Sequence, residues 1–174
     1  MAEGLRIIER KGLRLAAVMA RKGVAAESIG AKLGLAPPVG PQVARDAATT
    51  LVGTAPGMWL AIAEDGRPGW VEQLSEALAG AASVSDQSSG YLVLRISGEG
   101  AQTLLQKGAF IDLDPSVFPT GSSAVTVIAH IGVILWKVDD APTFDLALFR
   151  SFEGSFRDWI AWAAPGAVVQ TPSS

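Results

Sequence analysis

Apolar positions along the first half of the chain recur at two spacings, one typical of strands and one typical of helices. The segments that carry these spacings are short and are separated by Gly- and Pro-rich sequence. The pattern predicts a strand in LRIIER, a helix in GLRLAAVMARKG, a loop over 33–41, a hairpin formed by TTLVG and MWLAIA, a helix in GWVEQLSEALAG and an extended segment in ASVSDQ. The turn sequence TAPG joins the two hairpin segments.

The second half repeats this order of elements. It predicts a strand in YLVLRIS, a helix in GEGAQTLLQKG, a loop in DLDPSVFPTG, strands in SAVTVIA and VILWKV joined through His130, a strand in FDLALF and a helix in SFRDWIAWA. Trp59 and Phe144, in corresponding strands, stand 85 positions apart, and Trp70 and Phe156, in the following helices, stand 86 apart. The matching separations indicate two copies of one unit.

We therefore predict an α+β fold made of two repeated β-α-β-hairpin-α lobes that share a core, because one copy alone is small for closing a core. The predicted lobes are 1–84 and 85–164, and 165–174 is expected to be a flexible tail. Most of the tryptophans fall at strand or helix spacing and are expected to lie in the core.

Composition removes several classes of chemistry. The chain has 174 residues and no cysteine, which excludes disulfides, thiolate metal sites and cysteine nucleophiles. Its start lacks the apolar core of a signal peptide, and no stretch approaches the roughly 18–20 uncharged apolar residues of a membrane-spanning helix. We expect a cytoplasmic protein that does not enter a membrane.

Charge is distributed unevenly. Residues 1–32 hold seven basic and three acidic residues, a net charge of +4, whereas the rest holds seven basic and fourteen acidic residues, a net charge of −7. A basic arm of this kind suggests a partner with an acidic face, and Arg10, Lys11 and Arg14 are the candidate docking residues. A solvated helix face is the alternative explanation. Nucleic acid is not expected as a partner, because the pI is near 5.1 and the arm has no aromatic residue to stack a base.

The stretch GEGAQT resembles a dinucleotide-binding fingerprint but departs from it. Such a loop needs a third glycine, which is absent, and Glu99 would repel a phosphate at the helix N-terminus. The acidic residue expected about 20 positions on is displaced, since Asp112 and Asp114 lie 14 and 16 positions after Gly98. A strand-to-helix joint with the helix cap at Ser97 or Gly98 explains the stretch better.

The remaining candidate residues point to turns rather than to a reaction. His130 is the only histidine and lies in a predicted hairpin corner. Asp112 and Asp114 could pair as acid and base, but an Asp-capped turn before the Pro-rich loop is preferred. Asp139 and Asp140 precede Ala-Pro, a turn sequence, and the serines of SDQSSG have no nearby base. No catalytic or metal-binding residue is predicted.

One further signal is a family resemblance. The segment from about 85 to 160 carries RISG, then KG…DLDPS.FP.G, then GV.LW.V.D.PTF.L and RSF..SF.DW. This pattern resembles the gamma subunit of heterotetrameric sarcosine oxidase, and more distantly the folate-binding fold of the glycine-cleavage T-protein. The first half matches only loosely.

The resemblance implies an accessory role. Sarcosine oxidase complexes of this kind oxidise the N-methyl group of sarcosine, giving glycine and a one-carbon unit that passes to tetrahydrofolate or leaves as formaldehyde. The resemblance implies that this chain docks on the alpha subunit, with beta and delta completing the complex, and has no activity alone. It also implies that FAD, FMN, NAD, tetrahydrofolate and zinc lie on the other subunits and that this chain holds no cofactor.

The alternative hypothesis is a stand-alone tetrahydrofolate-binding protein of the T-protein fold. Repair-type relatives in that superfamily carry a Lys-Gly-Cys motif. Here Lys107 and Gly108 are followed by Ala109 and the chain has no cysteine, so the motif is absent. An adaptor with unrelated partners is a third possibility.

Overall fold

The structure, a computed structural model, describes residues 4–167 and 169–170. The strands within these residues are β1 (Arg6–Glu9), β2 (Arg14–Ala20), β3 (Val43–Arg45), β4 (Thr49–Ala55), β5 (Met58–Ala63), β6 (Ala82–Asp86), β7 (Tyr91–Ser97), β8 (Ser123–Ile128), β9 (Ile131–Lys137), β10 (Phe144–Phe149) and β11 (Val169–Gln170). The helices are α1 (Ala26–Leu33), α2 (Trp70–Ala77), α3 (Ala101–Gln106) and α4 (Glu153–Ala163), and a 3₁₀ turn at Arg150–Phe152 precedes α4.

The chain divides into two compact units. The first-repeat unit is Gly12–Ser89, and the second-repeat unit combines the described residues of Met1–Lys11 with those of Gly90–Ser174. This division differs from the predicted boundary between residues 84 and 85, because β1 pairs antiparallel with β7 and so joins the second repeat. The structure also differs from the prediction of a flexible tail over 165–174, since β11 within that segment pairs in parallel with β1 at Ile7 and Ile8. Residues 171–174 of that tail lie outside the described residues.

In the second-repeat unit, α3 and α4 supply the apolar residues that cover a six-stranded sheet of order β11-β1-β7-β10-β9-β8. Period-two burial explains β7, where Leu92, Leu94 and Ile96 contribute to the core. Period-3.6 burial explains α4, where Phe156 and Ile160 point into the same core.

In the first-repeat unit, the sheet has five strands in the order β3-β4-β5-β2-β6. Its core cluster includes Trp59 on β5 and Trp70 and Leu74 on α2. The predicted hairpin is confirmed as β4 and β5, whose residues Ala55 and Met58 are partners across the turn. Helix α1, which buries Ile29 alone, was not predicted from the sequence.

The helix predicted in GLRLAAVMARKG is wrong, since this segment forms β2. The strand lies between β5 and β6 and pairs antiparallel with both. Its neighbouring residues Leu15 and Ala16, which lie on opposite faces of the sheet, are both buried, so the sequence does not alternate cleanly between apolar and polar residues. The alanines also favour a helix by intrinsic propensity, and pairing within the sheet overrides that preference.

The internal repeat is confirmed by strand registers. Trp59 of β5 is the partner of Val18 in β2, and Phe144 of β10 is the partner of Ile96 in β7. The two sheets therefore correspond strand by strand. In the first-repeat unit the order is β3-β4-β5-β2-β6, and in the second it is β8-β9-β10-β7-β1. Strand β1 thus takes in the second repeat the position that β6 takes in the first.

The helices within the described ranges are short. The longest, α4, has 11 residues, and among residues 4–167 and 169–170 no helix is long and apolar enough to cross a bilayer.

Candidate functional site

Arg10, the first of the predicted docking residues, is bound to a buried carboxylate. Asp145 on β10 lies opposite Arg95 on β7, and its side chain is 1% exposed. Nε and Nη2 of Arg95 donate to its two oxygens at 2.7 and 2.8 Å. Nη1 of Arg10 donates to Oδ2 at 3.0 Å. The charge of Arg10 is therefore used within the second-repeat unit to neutralise a buried anion.

Lys11 and Arg14 fall in different units. Lys11 is exposed, and nothing in the described part of the chain pairs with its ammonium group. Arg14 begins β2, is half-buried, and donates from Nε to the carbonyl of Gly66 at 3.2 Å. Of the three predicted docking residues, Lys11 is the one that is exposed. The docking role itself stays a prediction.

The acidic loop after α3 is a pair of hydrogen-bonded turns. Oδ1 of Asp112 accepts from the backbone N–H of Asp114 at 2.9 Å. Oδ1 of Asp114 accepts from the hydroxyl and the backbone N–H of Ser116 at 2.5 and 2.9 Å. These bonds hold the pKa of Asp114 below its ordinary value of 3.8, and the bond from the Ser116 hydroxyl has the larger effect. The turn interpretation of Asp112 and Asp114 is confirmed.

The joint between β7 and α3 is filled by the chain's own backbone. Gly98 has a φ of +94°, and a Cβ built on it would lie 1.3 Å from the carbonyl oxygen of Gly4. Gly98 is thus required for close packing of the N-terminal segment, not for a phosphate. The predicted cap at Ser97 or Gly98 is wrong: the N-cap position is Gly100, which makes no side-chain capping bond. The helix begins only at Ala101, because the carbonyl of Gly98 first accepts from the backbone N–H of Ala101 at 2.9 Å in a tight turn.

His130 lies where the sequence places it, in a hairpin corner. Ala129 and His130 form the two-residue turn between β8 and β9, with φ values of 51° and 65°. Positive φ at both positions defines the type I′ turn that suits the twist of a hairpin. The His130 side chain is exposed. The turn role of His130 is confirmed.

Lys137 is a buried charged residue that sequence reasoning missed. Its side chain is 3% exposed, and Nζ donates to the carbonyls of Asp139 and Ala141. The ammonium also lies 5.3 Å from the centroid of the Phe144 ring. One carboxylate oxygen of Asp139 is buried without a hydrogen-bond partner in the described part of the chain. A lysine inside the apolar strand sequence VILWKV was the available signal, and its role is to fix the loop between β9 and β10.

Several large apolar side chains are exposed. Trp162 on α4 is 76% exposed and Phe110 after α3 is 73% exposed. Trp59, Trp70 and Trp136 lie in the core as predicted, whereas Trp162 does not. The remaining exposed members are Met19, Val39, Met58, Val117, Val125, Phe149 and Phe152.

The first-repeat unit also has a small cleft of about 210 Å³. Leu33, Leu35 and Trp70 form apolar walls, and Lys32 and Arg67 lie among the polar lining residues. The volume is below the roughly 300–1,000 Å³ of sites that enclose drug-sized ligands. The cleft is therefore a poor fit for a molecule as large as tetrahydrofolate.

Comparison with known proteins identifies the family. The model of the sarcosine oxidase gamma subunit family matches residues 18–165. This chain belongs to that family. It is 33% identical over 125 residues to a sarcosine oxidase subunit gamma from Arthrobacter sp., an alignment that covers 71% of this chain and 61% of the relative. The matched part of the chain spans about six tenths of the length of its curated relatives.

Two solved structures are similar to the fold. One chain of the heterotetrameric sarcosine oxidase from Corynebacterium sp. U-96, solved in complex with pyrrole 2-carboxylate, matches with a TM-score of 0.83 and 25% identity, covering 95% of this chain and 88% of that chain. The glycine cleavage system aminomethyltransferase T from Bartonella henselae matches with a TM-score of 0.67 and 12% identity, covering 97% of this chain and 47% of that chain. The predicted T-protein-like α+β fold is confirmed.

Proposed function

We propose that this gamma-family chain is a non-catalytic accessory subunit of a heterotetrameric sarcosine oxidase, docked on the alpha subunit. The observation that carries the proposal is the match over 95% of this chain to a chain of such a heterotetramer. The beta and delta subunits would complete the assembly. Exposed apolar residues such as Trp162 and Phe110 support a partner, because surface of this kind is often covered in an assembly.

The reaction would be carried by the other subunits. The complex would oxidise the N-methyl group of sarcosine, giving glycine and a one-carbon unit that passes to tetrahydrofolate or leaves as formaldehyde. FAD, FMN, NAD, tetrahydrofolate and zinc would be bound outside this chain. Its own candidate groups support this assignment, since Asp112 and Asp114 are engaged in turns and Lys137 fixes a loop.

Affinity purification tests the proposal. A tagged copy of this chain, purified from its own cells, should retain alpha, beta and delta subunits in equal amounts and show sarcosine-dependent oxygen consumption. Deleting the chain should remove both the assembled complex and the activity. Recovery of the tagged chain alone, with sarcosine oxidation intact in its absence, would refute the accessory role.

The stand-alone tetrahydrofolate binder is the alternative. It predicts that the isolated chain binds tetrahydrofolate, which titration calorimetry on the purified chain would detect. The proposed accessory role predicts no binding heat in that titration, because tetrahydrofolate would be bound by another subunit.

A further inference from the structure

The internal repeat makes one sheet edge of this molecule unlike its counterpart. Strand β1 in the second-repeat unit and β6 in the first occupy equivalent positions, each antiparallel to the first strand of its repeat. The outer edge of β1 is covered by β11, which runs parallel to it. Among the described residues no strand pairs with the outer edge of β6, which is the last strand of its sheet.

The registers match Val84 to Ile7 residue by residue. Val18 and Ile96 are equivalent, because they pair with the equivalent residues Trp59 and Phe144. Ile7 is the partner of Ile96, and Val84 is the partner of Val18. On its other side, Ile7 is the partner of Val169 in β11. Val84 is therefore the position at which a corresponding strand would pair in the first repeat.

The backbone of Val84 points outward. Residues of an antiparallel pair alternate between those that exchange hydrogen bonds with the neighbour and those that direct N–H and C=O away from it. The bonds from Gln87 N–H to Leu15 and from Arg21 N–H to Ala81 set this phase for β6. The backbone groups of the odd-numbered residues of β6 therefore bond to β2, whereas Val84 and Asp86 present their backbone N–H and C=O groups to the open edge. The bond from Arg10 N–H to Val93 places Ile7 in the same outward phase.

Strand β6 lacks the features that usually protect an edge. Natural edge strands carry lysine, proline or a bulge, or are very short. The sequence of β6 is ASVSD, which has no lysine or proline and pairs with β2 without a register shift, and its one charged residue, Asp86, stands at the end of the strand. By contrast β3, at the opposite edge of the same sheet, is three residues long.

We propose that the outer edge of β6 receives an extended segment of the partner subunit, which adds a strand beside Val84 as β11 does beside Ile7. The segment would run parallel to β6 and place an apolar side chain next to Val84, because Val169 of β11 packs on the core of its own unit and Val84 packs partly on the other core. Main-chain hydrogen bonds would provide the affinity. The inference rests on the accessory role proposed above.

A proline substitution tests the edge directly. Val84→Pro removes the outward N–H without removing a bond to β2, and an edge strand tolerates proline at such a position. Val125→Pro is the matched control, because Val125 also lies on an edge strand, β8, with its backbone groups directed away from the neighbouring β9. The bond from Lys137 N–H to Ser122 sets this phase, and the isolated bridge from Ala109 reaches β8 at Ile128, three residues away. We expect Val84→Pro to weaken association with the alpha subunit about 10-fold or more and Val125→Pro to stay within about 3-fold of the native chain.

Hydrogen exchange on the native protein gives a second measurement, which does not depend on a variant that folds. In the isolated chain, the amides of Val84 and Asp86 should exchange faster than those of Ser83 and Ser85, and in the complex they should become protected. If the native chain binds the alpha subunit while these amides stay unprotected and Val84→Pro binds as well as the native chain, the edge proposal is overturned and the accessory role stands. If the native chain does not bind the alpha subunit, the edge proposal and the accessory role both fail. A dimer of this chain that Val84→Pro dissociates would assign the edge to a second copy and also overturn the proposal.

Discussion

Single residues show that formal charge and available charge differ. The sequence groups Arg10, Lys11 and Arg14 as one basic arm, yet the structure binds Arg10 to Asp145 and leaves Lys11 exposed. Nothing in the sequence could reveal this, because Asp145 lies 135 positions from Arg10 and they meet only through strand pairing. His130 and Asp114 were predictable, because turn chemistry is local.

Charge reversal should separate these roles. Arg10→Glu places a carboxylate beside buried Asp145, so we expect the free energy of unfolding to fall by about 3 kcal/mol or more, as for other broken buried pairs. Lys11→Glu should stay within about 0.5 kcal/mol of the native chain, as is usual at exposed positions. Urea denaturation of both variants measures the difference. Equal stabilities would mean that Arg95 alone satisfies Asp145.

Asp46 predicts an acid-dependent contribution to stability. Oδ1 of Asp46 accepts from the backbone N–H groups of Ala48 and Thr49, both at 2.8 Å. These bonds, of which that from Ala48 has the larger effect, lower the pKa of Asp46 below its ordinary value of 3.8. A lowered folded-state pKa stabilises the fold above the unfolded-state pKa, and this stabilisation is lost as the pH falls through the folded-state value. Asp46→Ala should therefore be less stable than the native chain at pH 7, and the difference should shrink in acid. Asp46→Asn, which keeps an acceptor, is the control and should show a smaller loss at pH 7.

At the scale of elements, prediction succeeded where strand and helix patterns were clean and failed where they were not. Helix α4 follows a period of 3.6, and strand β7 follows a period of two except at Val93, which is also buried; both elements were predicted. Strand β2 is rich in alanine and central, so its sequence reads as a helix, and α1 buries only Ile29, so its pattern is too weak to detect. The open edge of β6 could not be found without the registers, because a strand sequence does not say which of its edges is paired.

The hairpin turn between β8 and β9 offers an element-scale prediction. Ala129 and His130 adopt positive φ, which costs roughly 1–2 kcal/mol for an ordinary residue and little for Gly or Asn. The double variant Ala129→Asn, His130→Gly should therefore be more stable by about 1 kcal/mol, or about 2–4 °C in melting temperature for a chain of this size.

The variant His130→Ala should leave the turnover of the proposed sarcosine oxidase complex within a few fold of that with the native chain. A loss near 100-fold, about 2.7 kcal/mol of transition-state stabilisation, would instead identify His130 as a catalytic group.

At the scale of the whole molecule, the duplication explains both the fold and its exception. Each repeat builds a sheet covered by helices, and the second repeat takes its β1 strand from the N-terminal segment of the chain. The sequence revealed the duplication through the spacing of Trp59, Phe144 and the helices after them. It could not reveal that β1 joins the second repeat, because local patterns do not encode which distant strand is the partner.

The docking role of the basic arm can now be tested without disturbing the fold. Lys11→Glu leaves the bond between Arg10 and Asp145 intact. If Lys11 steers docking, the association rate with the alpha subunit should fall, and the effect should diminish at high salt because exposed charges are screened. Stopped-flow association at low and high salt measures this. An unchanged rate at low salt would favour the solvated-face explanation.

The proposed binding to the alpha subunit should also appear as a gain in stability. A partner that binds only the folded state stabilises it by mass action, by roughly 2.7 kcal/mol at ~100 times the dissociation constant. For a chain of 150–250 residues each kcal/mol corresponds to about 2–4 °C, so the melting temperature of this chain should rise by about 5–10 °C on mixing.

The isolated chain should be colourless, because the joint at Gly98 is filled by backbone and offers no phosphate loop for a flavin. A melting curve that does not move with alpha subunit present, together with a bound flavin or tetrahydrofolate, would favour a stand-alone ligand-binding protein. A shift that Val84→Pro abolishes and Val125→Pro preserves would trace the gain in stability to the edge of β6.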